Sequence, residues 1–223
     1  MQNPAYIETI EYPETDGKPM AETDVHIRLL TDLRFSLEIF FRHDPHVYVS
    51  GNLMMYYVEG QPQLSISPDV FVVRGVPKGQ RRTYKTWAEG HAPQLVIELA
   101  SKSTWRHDLF GKVRIYEKLG VQEYFVFDPE YLYLPEALLG FRLENGELTA
   151  LQPAGKCFDS LVLGLELVDT GETLRLRDPQ HGEFLLTTAE EAEAHRREAA
   201  ARIKAEAEVA RLREELEQLK KQS

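Results

Sequence analysis

Apolar residues recur at helical spacing over residues 22–42. His26, Leu29, Leu30, Leu33, Leu37, Phe40 and Phe41 fall on one face, which predicts a first long helix. Thr23 or Asp24 is placed to cap its start. His43-Asp44-Pro45 is placed to end it, because the residue before a proline avoids the helical region. The period then shortens. Three strand-like runs, 46–50, 52–58 and 68–73, have connections short enough for an antiparallel meander. Residues 75–91 form a polar, basic excursion without clear structure, long enough to be a functional loop, with Trp87 as its anchor. Residues 94–100 read as a buried strand, since Leu95, Val96, Ile97 and Leu99 are nearly continuous. Cap candidates at Ser101 to Thr104 open a helix that runs through Leu119 and ends at Gly120. Residues 123–128 form the next strand. Strand, helix and strand make a βαβ unit, whose strands are expected to be parallel with a right-handed crossover.

Beyond Pro129 the pattern becomes one of hairpins. Residues 139–143 and 147–151 flank Asn145-Gly146, a strong two-residue turn signal. Residues 161–168 and 173–176 read as further short strands that extend the sheet or cover one end. From about Thr188 the chain is almost wholly Ala, Glu, Arg, Lys and Leu, which predicts one long helix. Ala205, Val209, Leu212, Leu216 and Leu219 alternate at spacings of four and three, a short coiled-coil seam preceded by Glu198 and Arg202. Pairing of two tails into a homodimer and a single solvated helix held by ion pairs both remain open. The expected organisation is an N-terminal arm over 1–21, a globular domain over 22–187 and a helical tail over 188–223.

Composition narrows the class. A lone cysteine, Cys157, excludes an intramolecular disulfide and makes a reducing, cytoplasmic compartment the expectation. No apolar run approaches the ~20 residues needed to span a bilayer, and the first residues lack the basic start and apolar core of a signal peptide. A net charge of −10 argues against indiscriminate nucleic-acid binding, but the charge is uneven. Residues 74–118 hold ten basic against four acidic side chains, a local +6 that could receive a phosphate-bearing ligand. An ordinary charged surface accounts for the same count. Lys78, Arg81, Arg82, Lys85, Lys102 and Arg106 are the candidate nucleic-acid contacts.

Chemistry concentrates between Ser67 and Pro129. Hard divalent cations such as Mg²⁺ or Mn²⁺ take carboxylate and carbonyl oxygens. Asp69 opens one strand and Glu98 lies within another, so adjacent strands would bring the two acids to one end of the sheet as metal ligands. Glu98, flanked by Val96, Ile97 and Leu99, is costly to bury without a partner. Strict alternation offers the bland reading that it faces solvent. Lys112 falls beside the stripe of Leu109, Val113, Tyr116 and Leu119, where it could point at Glu98 and orient a water, or merely snorkel at the core edge. Asp108 lies one turn earlier. Seven scattered histidines show no zinc spacing, and no Gly-rich phosphate loop is present.

The strings SPDVFVV, LVIELASKST and RHDLFGKVRIYEKLGVQEYFVFDP resemble the Uma-two family of bacterial proteins described as restriction endonucleases, within the PD-(D/E)XK nuclease superfamily. The likeness covers about residues 20–178. It implies an α/β, restriction-endonuclease-like αβββαβ core, here with extra C-terminal β-hairpins and a long C-terminal helix. It also implies Mg²⁺- or Mn²⁺-dependent hydrolysis of DNA, with Asp69 and Glu98 as the metal-binding acids. The position two after Glu98, where the superfamily motif has lysine, is Ala100, and the resemblance moves that role to Lys112. Glu22, His26, Ser101 and Asp108 are candidate auxiliary residues, although His26 on an apolar face also reads as a core histidine. A catalytically silent nucleic-acid-binding or assembly module with the same fold is the rival expectation.

Overall fold

In the computed structural model the first apolar stripe forms α1 (Asp24–Phe40). Thr23 caps it, its hydroxyl accepting from the His26 N–H at 3.3 Å, and Leu29, Leu30, Leu33 and Leu37 are buried. The described residues are 10–15, 17 and 22–221, apart from the side chains of Leu219 and Lys221. Much of the expected arm over 1–21 therefore lies outside them, as does the Leu219 side chain of the seam. Two compact units emerge, Met1–Leu185 and Leu186–Ser223.

In the first unit, α1 is followed by β1 (Val47–Ser50), β2 (Met55–Tyr56), β3 (Ser65–Ile66), β4 (Val70–Arg74), β5 (Tyr84–Lys85), the short α2 (Thr86–Glu89) and β6 (Leu95–Leu99). Then comes α3, a wide π-helical turn (His107–Lys112) running into a regular helix (Val113–Leu119). The strands β7 (Glu123–Phe127), β8 (Leu138–Glu144) and β9 (Glu147–Ala150) follow. A six-stranded sheet has the order β1-β4-β6-β7-β8-β9. β1, β4 and β6 are antiparallel, β6 and β7 parallel across α3, and β8–β9 is the hairpin at Asn145-Gly146, both at positive φ. α1, β1, β4, β6, α3 and β7 are thus the expected αβββαβ core.

The meander has different members from those expected. The run over 52–58 leaves the sheet, and its β2 pairs instead with β3 and β5 in a separate three-stranded sheet. Gly51 shows why. Its backbone lies so close to β4 that a Cβ would stand 2.0 Å from the Asp69 carbonyl oxygen, and Asn52 follows at φ 51°. The chain turns away there, and the third strand of the meander is β6, which carries Glu98. The excursion over 75–91 also has structure, because it supplies β5 and α2. The Tyr12 ring of the arm packs on Tyr56 of β2 and on Trp87 of α2.

The sheet is buried on both faces. Val70, Val72, Leu95, Ile97, Leu99, Phe125 and Phe127 pack with the α1 leucines and with the second sheet. That sheet is β10 (Cys157–Ser160), β11 (Leu165–Asp169), β12 (Leu174–Asp178) and β13 (Glu183–Phe184), all antiparallel. The run expected over 161–168 is split, because a turn closed by Gly164 N–H to the Ser160 carbonyl joins β10 to β11. The opposite face of the main sheet, with Phe71, Val96, Tyr124 and Val126, packs on Tyr84 and on Tyr116 of α3. Glu98 shares the parity of Val96 and faces this second layer, so the solvent-facing reading of Glu98 fails.

The second unit contains α4 (Thr188–Lys221). Its charges pair along the surface, for example Arg197 with Glu193 and Arg211 with Glu208. Val209, Leu212 and Leu216 are exposed within the unit. No helix among the described residues is long and apolar enough to cross a membrane.

Candidate active site

The register between β4 and β6 pairs Val70 with Ile97, so the next step along both strands sets Asp69 beside Glu98. The two acids are locked reciprocally. The Leu99 N–H donates to Asp69 Oδ2 at 2.7 Å, and the Asp69 N–H donates to Glu98 Oε2 at 3.3 Å. Where the ladder ends, each strand's amide thus satisfies the other strand's carboxylate.

Helix α3 brings the amine. Lys112 Nζ lies 2.8 Å from Glu98 Oε2 and 2.9 Å from Asp108 Oδ1, with Asp108 one turn before it. The π-helical turn lies over this stretch, a distortion frequent at functional sites. Gly111 accommodates the His107 ring there, since a Cβ would stand 2.2 Å from His107 Nδ1. Four residues after Lys112, the buried Tyr116 hydroxyl donates to Glu98 Oε1 at 2.5 Å. The Tyr124 hydroxyl donates to the Asp108 carbonyl at 3.0 Å. From the other layer, His26 Nε2 stands 3.5 Å from Asp69 Oδ1 and 3.6 Å from Glu22 Oε2.

Three carboxylates therefore crowd one ammonium at a largely buried site. Burial dominates at Glu98 and, with the Asp69 and Asp108 charges, pushes its carboxyl up to about 8 against the pull of Lys112. Burial would depress the Lys112 amine, but Glu98, Asp108 and Asp69 hold it above its ordinary value. Asp69 is held below the usual carboxylate range despite burial, because His26, Lys112 and the Leu99 amide favour its charged form. Burial opposes a charge on His26, yet Asp69 and Glu22 raise it overall. The site thus favours a charged Lys112 beside an ionised Asp69, with Glu98 the carboxyl that takes a proton most readily.

The cluster floors a cleft of about 1090 Å³, to which Glu22, His26, Asp69, Ser101, Lys102, Lys112 and Tyr133 contribute walls. Glu98 lies beneath, with no exposed surface. One wall is the loop after β7, organised by the buried Asp128, whose carboxylate accepts from the Glu130, Leu132 and Leu134 N–H groups at 2.8–3.1 Å. Ser101 is tied up locally, its hydroxyl sharing hydrogen bonds with Ser103 and Thr104. The donor set fits a divalent cation. Asp69, Glu22 and His26 offer ligand atoms within 4.8 Å of one another, and the buried His26 Nε2 has no hydrogen-bond partner among the described residues. A second close set, Cys157, Asp159 and Glu166, lies on the other sheet, where Arg177 holds Glu166 at 2.5 Å.

The six basic candidates disperse. Lys102 joins the Asp69 cleft. Arg82 pairs with Glu14, Lys85 lies 4.3 Å over the Tyr12 ring, and Arg106 lies 4.3 Å over Trp105. Arg81 is engaged by Glu89 at 2.7 Å and 2.9 Å and stacks 4.0 Å over Tyr48. Lys78 donates to the Phe41 carbonyl, and with Arg81 it lines a different cleft of about 530 Å³ along β1. Sequence reasoning missed Tyr116, Tyr124 and Asp128 as site residues. For Tyr116 a signal existed, its position one turn after Lys112, but the ring also satisfied the apolar stripe.

A family model described as Uma2, putative restriction endonuclease, matches residues 7–170. The crystal structure of a putative nuclease belonging to DUF820 from Anabaena variabilis is similar at 16% identity, covering 70% of this chain and 79% of that one, with a TM-score of 0.46. No curated protein matches the chain.

Proposed function

The chain belongs to the Uma2 family of putative restriction endonucleases, and on that premise we propose that it is a Mg²⁺- or Mn²⁺-dependent endonuclease hydrolysing DNA phosphodiester bonds. One observation carries the reading: Asp69, Glu98 and Lys112, far apart in sequence, meet at the floor of one cleft, with Lys112 Nζ 2.8 Å from Glu98 Oε2. Asp69 and Glu98 hold the cation. A bound divalent cation supplies a water of lowered pKa and offsets charge on a phosphate oxygen.

The protein's own groups do the rest. Lys112, largely buried yet lining the cleft, uses two of its three N–H groups on Glu98 and Asp108, and the third is left to orient the attacking water while its charge offsets that growing on the phosphate. Tyr116 and the Asp69 amide fix the Glu98 carboxylate, so the amine it anchors has one position. Lys102 at the rim supplies a positive charge for the nucleic-acid backbone. Ala100 at the usual lysine position is fully buried, and Lys112 delivers an amine to the same glutamate from the helix. The exposed seam of Val209, Leu212 and Leu216 favours pairing of two α4 helices into a homodimer.

Incubation of the pure protein with supercoiled plasmid and Mg²⁺ or Mn²⁺ tests the activity. Nicking that is lost in Asp69→Ala and in Glu98→Ala supports it. Nicking that persists equally in both variants assigns the cleavage to a contaminant.

A further inference from the structure

Resting on that reading of the site, we infer that His26 and Glu22 are ligands to the cation held at Asp69. They complete a mixed nitrogen–oxygen shell that takes Mn²⁺ in preference to Mg²⁺.

The first observation is a buried nitrogen that no hydrogen bond satisfies. His26 is 7% exposed, and its Nε2 has no hydrogen-bond partner among the described residues. Such an atom is expensive unless something else meets it.

The second is where that nitrogen points. Asp69 Oδ1 stands 3.5 Å away and Glu22 Oε2 3.6 Å away. A charge-assisted hydrogen bond from an imidazolium Nε2–H to either carboxylate would close to about 2.7–2.9 Å. The observed gaps suit a different occupant. Two donors each about 2.1 Å from one ion, at angles of roughly 90–110°, stand about 3.0–3.4 Å apart. Binding needs only a small contraction of the three groups.

The third is charge and support. Asp69 and Glu22 bring two negative charges and His26 a neutral nitrogen donor, while Lys112 at 2.8 Å offsets the charge of Glu98, so the shell matches a divalent ion. Asp69 Oδ2 is occupied by the Leu99 N–H, which leaves Oδ1 for the cleft side. The Thr23 cap on the His26 amide fixes the first turn of α1, so His26 arrives on an ordered backbone, with Glu22 one residue before the cap. A nitrogen donor also changes selectivity. All-oxygen sites suit Mg²⁺, whereas imidazole favours transition metals, and Mn²⁺ accepts both donor types.

The test is Mn²⁺ and Mg²⁺ binding to the full chain by titration calorimetry, with pulsed electron paramagnetic resonance of the Mn²⁺ complex. The wild type is expected to bind Mn²⁺ at least about tenfold tighter than Mg²⁺ and to show ¹⁴N coupling to the manganese. His26→Gln should abolish that coupling and weaken Mn²⁺ about 10- to 100-fold, with a smaller effect on Mg²⁺. Glu22→Gln should weaken both ions, and thermal melts of each variant verify that it is folded. Asp69→Asn should lose both ions. A wild-type spectrum without nitrogen coupling, together with unchanged affinity in folded His26→Gln, overturns the inference while leaving the cation site at Asp69 standing. Absence of any Mn²⁺ or Mg²⁺ binding by the wild type overturns the endonuclease reading as well.

Discussion

Glu98 of β6 and Glu123 of β7 are carboxylates on neighbouring central strands, at 0% and 1% exposure. Their surroundings differ completely. Glu123 is saturated. Arg142 reaches it at 2.9 Å and 3.1 Å, the Ser160 hydroxyl donates to it, and the Leu161 and Val162 N–H groups complete the set. The group is a rivet, tying the β10–β11 turn to the main sheet. Glu98 shares one ammonium with two other acids, and its burial beside them raises its proton affinity well above that of an ordinary carboxyl. Burial of a charge marks function only when the neighbours leave it poorly matched.

The comparison breaks most visibly in stability. Glu123→Ala strands the Arg142 guanidinium and several amides, and should cost about 3–5 kcal/mol in urea unfolding followed by tryptophan fluorescence. Glu98→Gln in chelator-treated protein should be neutral or stabilising by the same assay, because it removes one of three crowded carboxylates. Equal losses in both variants would erase the distinction.

The sign of the pH dependence sharpens it. A carboxyl whose folded value is pushed up to about 8 binds its proton more tightly folded than unfolded. Metal-free protein should therefore lose stability as pH rises from the ordinary carboxylate range through about 8. Melting temperatures taken between about pH 6 and 9 in chelator should fall for the wild type and fall less for Glu98→Gln. A slope unchanged by the substitution would assign the titration elsewhere.

The order of the core elements was legible in the sequence because burial imposes periodicity: α1 at helical spacing, β6 and β7 as continuous apolar runs, the hairpin at Asn145-Gly146. The membership of the sheet was not. Whether the 52–58 run joins it depends on how closely Gly51 approaches Asp69, a contact with no local signature. At the site, Glu98 stood out as an acid within an apolar run, Asp69 only as its partner at the start of a neighbouring strand, and Lys112 by its place beside a helical stripe. Glu123 opens an equally apolar run and drew no notice, since its partners come from residues 142 and 160–162. Tyr116 was hidden for the opposite reason, its ring fulfilling the core pattern while its hydroxyl serves Glu98.

That hydroxyl gives the smallest effect. Tyr116→Phe keeps the ring, frees Glu98 Oε1, and should lower Mn²⁺ affinity by about tenfold with the fold intact, as removing a support behind a metal-binding residue typically does. Calorimetry reads it directly, and an affinity equal to wild type would reduce Tyr116 to packing.

The central claim is that one divalent cation sits at the cleft floor against Asp69. A crystal grown with Mn²⁺ and measured at an anomalous wavelength tests this most directly. The account predicts a single strong anomalous peak about 2.0–2.3 Å from an Asp69 carboxylate oxygen, absent in Asp69→Asn crystals. A well-ordered cleft without anomalous density at saturating Mn²⁺ would contradict it.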